Sequence, residues 1–376
     1  MVIFEPQCAG YVHAEVNAAY ILTCARAFPE EKIRFFGEAE HLRIVEEELG
    51  KYGLNIRYIP IEIPDRKQSP LKRLRVEFGN IRKVFSQAEG SDVLLMSVTS
   101  ATLLAAKLFG YVFPGKIHIV LHGILETIFK KPESLSGRLF WFKPYLLHLN
   151  RPKIRYLLNG ESIERNLVSS FPSLEKFVSS LELPYFFEGN PVKETTGPLP
   201  VFASVGVGAV QKGSHLFFRL AQDVAGRTGK NAEFRYIGHF VDREMDGYIN
   251  EFVDLPSKDS PLDRQSYEKY MTNADFVVLF YPGDSYKFGA SGAFFDAIKF
   301  RKPVIAIRND FLSHYFDKYG ELGWLCESYE EVLKIVRGIC ENFDREDYER
   351  RAENLGKVRE DLSMEKQAAR LRRIMA

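Results

Sequence analysis

The chain has 376 residues, more than one hydrophobic core ordinarily serves, so two α/β domains are expected. Apolar residues make up 45% and charged residues 27%, and the net charge is +1; this balance argues against a disordered chain and against a globally basic nucleic-acid binder, so any basic site must be local. The four cysteines, Cys8, Cys24, Cys326 and Cys340, have no CxxC or metal-ligand spacing and read as reduced thiols of a cytosolic protein.

Met1 runs straight into a strand-like stretch at 2–5, without the basic and apolar regions of an export signal, and a cytoplasmic location is expected. The first half then alternates β-rich runs with helical periods: VIFEP, a helix over 15–28, IRFFG, a helix over 39–49, and NIRYIPI. It continues with a basic helix over 71–89, DVLLMSV, a helix over 101–109, KIHIVLHG, a helical segment rich in Phe, Trp and Leu, and IRYLLNG. That order predicts a parallel sheet, and seven strands would fit a Rossmann-like layer. Residues 92–113, which imitate a membrane span, are broken by Ser97, Thr99, Ser100 and Lys107 and read as a strand followed by a helix.

Over 184–200 the periodicity collapses into ELPYFFEGNPVKETTGPLP, a linker composition. A second series follows: PVFASVGVG, a helix over 214–225, EFRYIGHF, a helix over 264–272, ADFVVLFYP, a helix over 293–300, and PVIAI. The tail over 345–375 has helical periodicity rich in Arg, Glu and Leu. The organisation expected is a Rossmann-like domain over 1–190, a second over 191–345, and a terminal helix over 346–376 packing back on the first.

In open parallel sheets ligands bind beyond the carboxyl ends of strands, so the turns there carry the functional signal. After VFASV come Gly206, Val207, Gly208, Ala209, Val210, Gln211, Lys212 and Gly213, with Ser214 as a helix cap. Glycines admit a close backbone approach and Lys212 adds positive charge, which suits a diphosphate; a plain turn with a solvated lysine is the alternative. The second turn, 281–292, ends in Ser291 and Gly292 and opens into AFFDAIKF, whose first amides suit phosphate oxygens. Asp296, one turn on, is placed to accept from ribose or sugar hydroxyls, or else is an acidic residue favourable near a helix start.

Three segments, VGVGAVQKG, NADFVVLFYPGDSYKFGASGAFFDAIKFRKPVIA and LGWLCESYEEVLKIV, resemble the donor-binding domain of family 4 type GT-B glycosyltransferases. The resemblance implies two Rossmann-like domains facing across a central cleft, with Lys212 on the donor diphosphate and Asp296 at the second carboxylate of the family's Glu-x7-Glu motif, holding the ribose. Two positions depart from the pattern: the arginine after the first glycine is Val207, and the first glutamate is Phe288. Arg235 is the basic residue that could reach the diphosphate instead.

In the first domain Gly10 lies in CAGYVHAEVNAA, with His13, Glu15 and Asn17 crowding the next helix. GT-B enzymes resemble this in placing a glycine-containing loop between acceptor and donor, so Gly10 is read as donor-binding and His13 and Glu15 as cleft residues, capping and surface roles being the alternatives. His122 ends KIHIVL before Gly123, where the family also places a histidine; it either orients the transferred sugar or serves as a base, a hydrogen-bonded histidine at a strand end being the alternative. His118 in the same strand reads as structural, and His239, after FRYIG, as approaching the donor.

Segment 129–153 interleaves Lys and Arg with aromatics and holds one acidic residue, Glu133; with Lys72, Arg73, Arg75, Arg82 and Lys83 it is either a peripheral membrane contact or a packed segment with solvated lysines. No RNA-binding motif accompanies it, and no nucleic-acid partner is expected. The function expected is metal-independent transfer of a sugar from a nucleotide-diphosphate donor to a glycan or lipid-linked acceptor, without a bound cofactor, since the sequence has no DxD motif. A nucleotide-sugar 2-epimerase and a noncatalytic glycan- or nucleotide-binding protein are the alternatives.

Overall fold

The structure, a computed structural model, describes residues 1–65, 68–189, 199–228 and 231–376. The strand cores VIF, VLL and IHIV are uninterrupted apolar runs or nearly so, and every residue in them is buried. Strands buried on both faces belong to parallel sheets covered by helices, and all pairings recorded here are parallel.

The first series consists of β1 (Val2–Phe4), α1 (Ala14–Ala27), β2 (Ile33–Gly37), α2 (Ala39–Leu49), β3 (Ile56–Pro60), α3 (Pro70–Ala88), β4 (Val93–Leu95) and α4 (Ser100–Phe109). It continues through β5 (Ile117–Val120), two short helices α5 (Leu135–Leu139) and α6 (Phe142–Leu147), β6 (Ile154–Leu158), α7 (Glu161–Ser170) and β7 (Val178–Ser180). The sheet has seven strands in the order β3-β2-β1-β4-β5-β6-β7, the expected Rossmann-like layer. Helix starts are fixed by side chains: Glu38 accepts from the Glu40 and His41 amides at α2, and Thr99 from the Thr102 amide at α4.

The second series consists of β8 (Val201–Gly208), α8 (His215–Thr228), β9 (Glu233–Phe240), β10 (Val253–Asp254), α9 (Arg264–Asn273), β11 (Phe276–Leu279) and α10 (Gly292–Phe300). After these come β12 (Val304–Ile307), α11 (Asp310–Tyr319), β13 (Gly323–Cys326), α12 (Tyr329–Glu341), α13 (Arg345–Asp361) and α14 (Met364–Met375). Its six strands run β10-β9-β8-β11-β12-β13, the same doubly wound order. The fold class is α/β with two Rossmann-like domains.

Packing groups Met1–Phe186, Phe288–Ala290 and Leu362–Ala376 as one unit, and Phe187–Lys287 with Ser291–Asp361 as the other. The boundary expected at 190/191 lies outside the described residues. The tail, expected as one helix on the first domain, is two helices separated at Leu362 and Ser363. In α13, Leu355 and Val358 are buried in the second unit, and the Arg351 guanidinium stacks 4.0 Å from the Trp324 ring. In α14, Met364, Ala368 and Leu371 are buried in the first unit, where the Thr23 hydroxyl reaches Met364 Sδ at 2.8 Å.

All four cysteines are free thiols, and Cys8, Cys24 and Cys326 are buried. Residues 92–113 form β4 and α4 as expected, and among the described residues no helix is long and apolar enough to cross a membrane.

Candidate active site

The switch point of the second sheet lies between β8 and β11, where successive connections leave in opposite directions, the place at which open α/β sheets bind ligands beyond the carboxyl ends of their strands. Gly206, at φ 97°, faces Gly238 across the β8–β9 ladder; a Cβ on Gly238 would lie 1.9 Å from the Gly206 carbonyl oxygen. A short 3-10 turn, Val210–Lys212, follows and is closed by Gly213 at φ 76°. A Cβ there would lie 2.0 Å from the Phe280 carbonyl, so only glycine lets this turn approach the end of β11. Ser214 precedes α8, and its hydroxyl accepts from the Ala209 amide and the Tyr236 phenol, each at 3.2 Å, which fixes the loop from inside.

Lys212 is exposed on that turn, with Nζ 3.4 Å from the Val207 carbonyl. His239, half-buried near the end of β9, pairs in register with Val207. Gly206, Lys212 and His239 therefore lie at or just beyond the carboxyl ends of β8 and β9. Arg235 does not join them: it is near the start of β9, where Nε donates to Asp254 at 2.7 Å and the guanidinium lies over Tyr270. Its register puts it at the opposite end of the strand from the turn, so it does not stand in for the arginine that Val207 replaces.

After β11, Ser291 caps α10 and is fully buried. Its hydroxyl accepts from the Phe294 amide and shares a 2.5 Å hydrogen bond with Tyr281, so it is engaged within the protein and holds the helix start in place. Gly292 is exposed, and the first amides of α10 point out at the positive end of the helix. Asp296, one turn further and half-buried, accepts from the Tyr267 phenol of α9 at 2.6 Å. Phe288 is buried in the first unit's core and stacks on Phe129 with centroids 4.6 Å apart, so packing occupies the position where the family pattern has a carboxylate.

In the first unit the corresponding switch point lies between β1 and β4. Glu5, directly after β1, is buried and accepts from the Gln7 amide at 2.8 Å, the Cys8 amide at 3.1 Å, Asn17 Nδ2 at 3.1 Å and the Ser97 hydroxyl. Asn17 Nδ2 also reaches His41 Nε2 at 2.9 Å, which leaves Nδ1–H of His41 to donate to the Gly10 carbonyl at 2.8 Å. The Gly10 amide donates to Glu38 at 3.2 Å. Both peptide groups of Gly10 are thus tied to α2 and its cap, so the Gly10 amide is already committed within the protein.

His13 caps α1 in the left-handed region, at φ 54°, and its ring packs edge-on against His122 with centroids 4.5 Å apart. The two histidines line one narrow pocket with Glu5, Asn17, Tyr20 and Ser97. Burial, followed by the neighbouring His13, pushes the His122 imidazole down to about 4. His13 is exposed as a whole, but desolvation of its ring against the pocket lowers it, against the opposing pull of Glu5. Glu15 is exposed on the first turn of α1 and does not line this pocket, because the helix directs it away from the face that carries Asn17. His118 is fully buried within β5, in keeping with a structural role.

The residues behind His122 escaped sequence reasoning. Asn159, directly after β6, lies with Nδ2 2.8 Å from His122 Nδ1, and the buried Tyr20 donates to its Oδ1. The carboxyl-end rule applied to IRYLLNG would have singled out Asn159; nothing local marks Tyr20, 139 residues away from it.

No protein-family model matches the chain, and no curated protein matches it in sequence. Solved structures do match in fold. A glycosyltransferase from Rickettsia africae aligns with a TM-score of 0.70 at 12% identity, over 100% of this chain and 97% of its own. S. aureus TarM, in complex with fondaparinux, alpha-GlcNAc-glycerol and UDP, aligns with a TM-score of 0.69 at 10% identity, over 100% and 99%. UDP-GlcNAc 2-epimerase from Neisseria meningitidis, bound to UDP-GlcNAc, aligns with a TM-score of 0.59 at 12% identity, over 98% and 97%. The chain has the GT-B fold that these structures share.

Proposed function

We propose that the chain is a cytoplasmic glycosyltransferase that moves a sugar from a nucleotide-diphosphate donor to a glycan or lipid-linked acceptor. The observation that carries this reading is the pair of carboxyl-end turns at the switch point of the second sheet, where Lys212 follows β8 and the exposed start of α10 follows β11, with Asp296 one turn on. A lysine and free helix amides stabilise the charge that develops on a departing diphosphate, and a carboxylate beside them accepts from ribose hydroxyls. TarM with UDP and the epimerase with UDP-GlcNAc support extending a nucleotide-diphosphate ligand to this chain.

In the reaction the bond between the anomeric carbon and the diphosphate oxygen breaks, a bond from the acceptor oxygen forms, and the acceptor proton is released. Lys212, Gly206, Gly292 and His239 border the diphosphate, and Ser291 shapes that border from within. Asp296 holds the ribose, with its carboxylate already oriented by Tyr267. Within the first unit, His122 and His13 are the side chains available to a sugar hydroxyl. Protein groups offset the phosphate charge without a metal ion or bound cofactor.

Exposed Leu71 and Leu139, near Lys72, Arg75 and Lys143 in sequence, support a peripheral contact with the inner membrane face, where a lipid-linked acceptor would lie. The test is incubation with UDP-, GDP-, ADP- and TDP-sugars, with and without lipid and glycan acceptors, in EDTA. Acceptor-dependent release of nucleoside diphosphate is expected. A changed sugar epimer without acceptor would assign an epimerase, and binding without turnover a noncatalytic scaffold.

A further inference from the structure

We infer that Asn159 and Tyr20 are positioning residues that lock His122 in its Nε2–H form, so that it meets substrate as a hydrogen-bond donor and not as a base. The inference rests on the transferase reading only for the identity of that substrate, a nucleotide-sugar or its acceptor.

The argument is one of hydrogen-bond satisfaction. Asn159 and Tyr20 are both buried, and among the described residues Asn159 has two side-chain partners, Tyr20 and His122. An amide can be turned two ways. In one, Oδ1 accepts the Tyr20 hydroxyl and Nδ2 donates to His122 Nδ1, so every group in the chain of contacts has a partner. In the other, Nδ2 would face the Tyr20 oxygen, and the buried Tyr20 O–H would be left without an acceptor. A buried unsatisfied donor is costly, and the first arrangement wins.

Once Nδ1 accepts, the neutral ring must carry its proton on Nε2. Burial keeps the ring neutral, and no second proton is taken up near neutral pH. Among the described residues Nε2 has no hydrogen-bond partner, so its N–H is available to a substrate oxygen. The titratable groups on the pocket wall around it are His13, edge-on at 4.5 Å, Cys8, Tyr20, and Glu5, whose carboxylate oxygens are bonded to backbone amides, Ser97 and Asn17. Of these, Tyr20 bonds Asn159, at its Oδ1 and not on the side that faces His122.

The test is long-range proton–nitrogen NMR of the full chain with nitrogen-labelled histidine, His122 being assigned by loss of its signals in His122→Gln. The expected wild-type result is a pyrrole-like Nε2 and a pyridine-like Nδ1. Asn159→Asp, whose carboxylate only accepts, should move the proton to Nδ1 and lower kcat about 10²-fold with little change in KM. Tyr20→Phe, which keeps the packing, should release the amide to rotate and give both tautomers. A wild-type Nδ1–H ring, or an Asn159→Asp protein with the wild-type tautomer, overturns the inference. The tautomer is read without substrate: an Nε2–H ring in a chain that turns over no nucleotide-sugar refutes the transferase reading and leaves the relay standing.

Discussion

The Tyr267 phenol donates to the Asp296 carboxylate at 2.6 Å, joining α9 to the second turn of α10. A carboxylate held this way is oriented before any ligand arrives, and its remaining acceptor positions face a limited set of directions. If Asp296 binds ribose, Asp296→Asn should weaken a nucleoside diphosphate by about 1.5–3 kcal/mol and leave inorganic pyrophosphate unaffected. Tyr267→Phe should give a smaller loss of the same kind. Calorimetry with both ligands measures this; equal losses for the two would move Asp296 away from the ribose.

His122 predicts a pH dependence of stability. Its folded pKa, about 4, lies below the ordinary 6.5, so above pH 6.5 the ring is neutral in both states and imposes no cost. As the pH falls from about 6.5 to about 4 the unfolded chain takes up a proton that the folded chain refuses, and stability is lost. The loss is at most about 3 kcal/mol, and lowered His13 acts in the same sense. His122→Gln should flatten the denaturation profile in that window. A profile unchanged by the substitution would show that the ring is readily protonated in the fold.

Gln367 is fully buried in α14, and neither its Nε2 nor its Oε1 has a hydrogen-bond partner among the described residues. Gln367→Met keeps the length of the side chain and removes two unsatisfied groups, and should stabilise the first unit by about 1–2 kcal/mol. Urea unfolding followed by a first-unit probe, such as hydrogen exchange in α1, reads the change. Destabilisation would mean that this amide is satisfied in solution.

Lys107 is the opposite case. It is buried, and its Nζ donates to the carbonyls of Tyr145 and His148, the latter at 2.6 Å, and to Asn150 Oδ1 at 2.7 Å, closing the end of α6. Lys107→Met strands these acceptors and should cost about 3 kcal/mol, with loss of exchange protection concentrated over 142–150. Unchanged protection there would contradict this cap.

The strands were legible where apolar runs met turn residues, as in VFASVGVG and IRFFG, because strands buried on both faces need no alternation. Strands β7 and β10 were not: three and two residues carry no readable period. Helix α11 was overlooked, although Asn309 caps it and Phe311, Leu312 and Tyr315 form its buried face. The break before α14 has no proline or glycine to announce it, only Ser363. At the site, glycines and Lys212 were visible as turn chemistry. The uses of Asn159 and Tyr20 were not, since their partners come from other elements and depend on the folded sheet order; that of Ser291 joins the local Phe294 amide to Tyr281, ten residues back.

The most direct test of the donor site is calorimetric titration of UDP, GDP, ADP and TDP into the wild-type chain and into Lys212→Ala. One diphosphate should bind the wild type and lose about 10-fold or more in affinity to the lysine variant, in keeping with one charge-assisted contact. Binding of none of them, or binding untouched by loss of Lys212, would contradict a nucleotide-diphosphate site at the β8 turn.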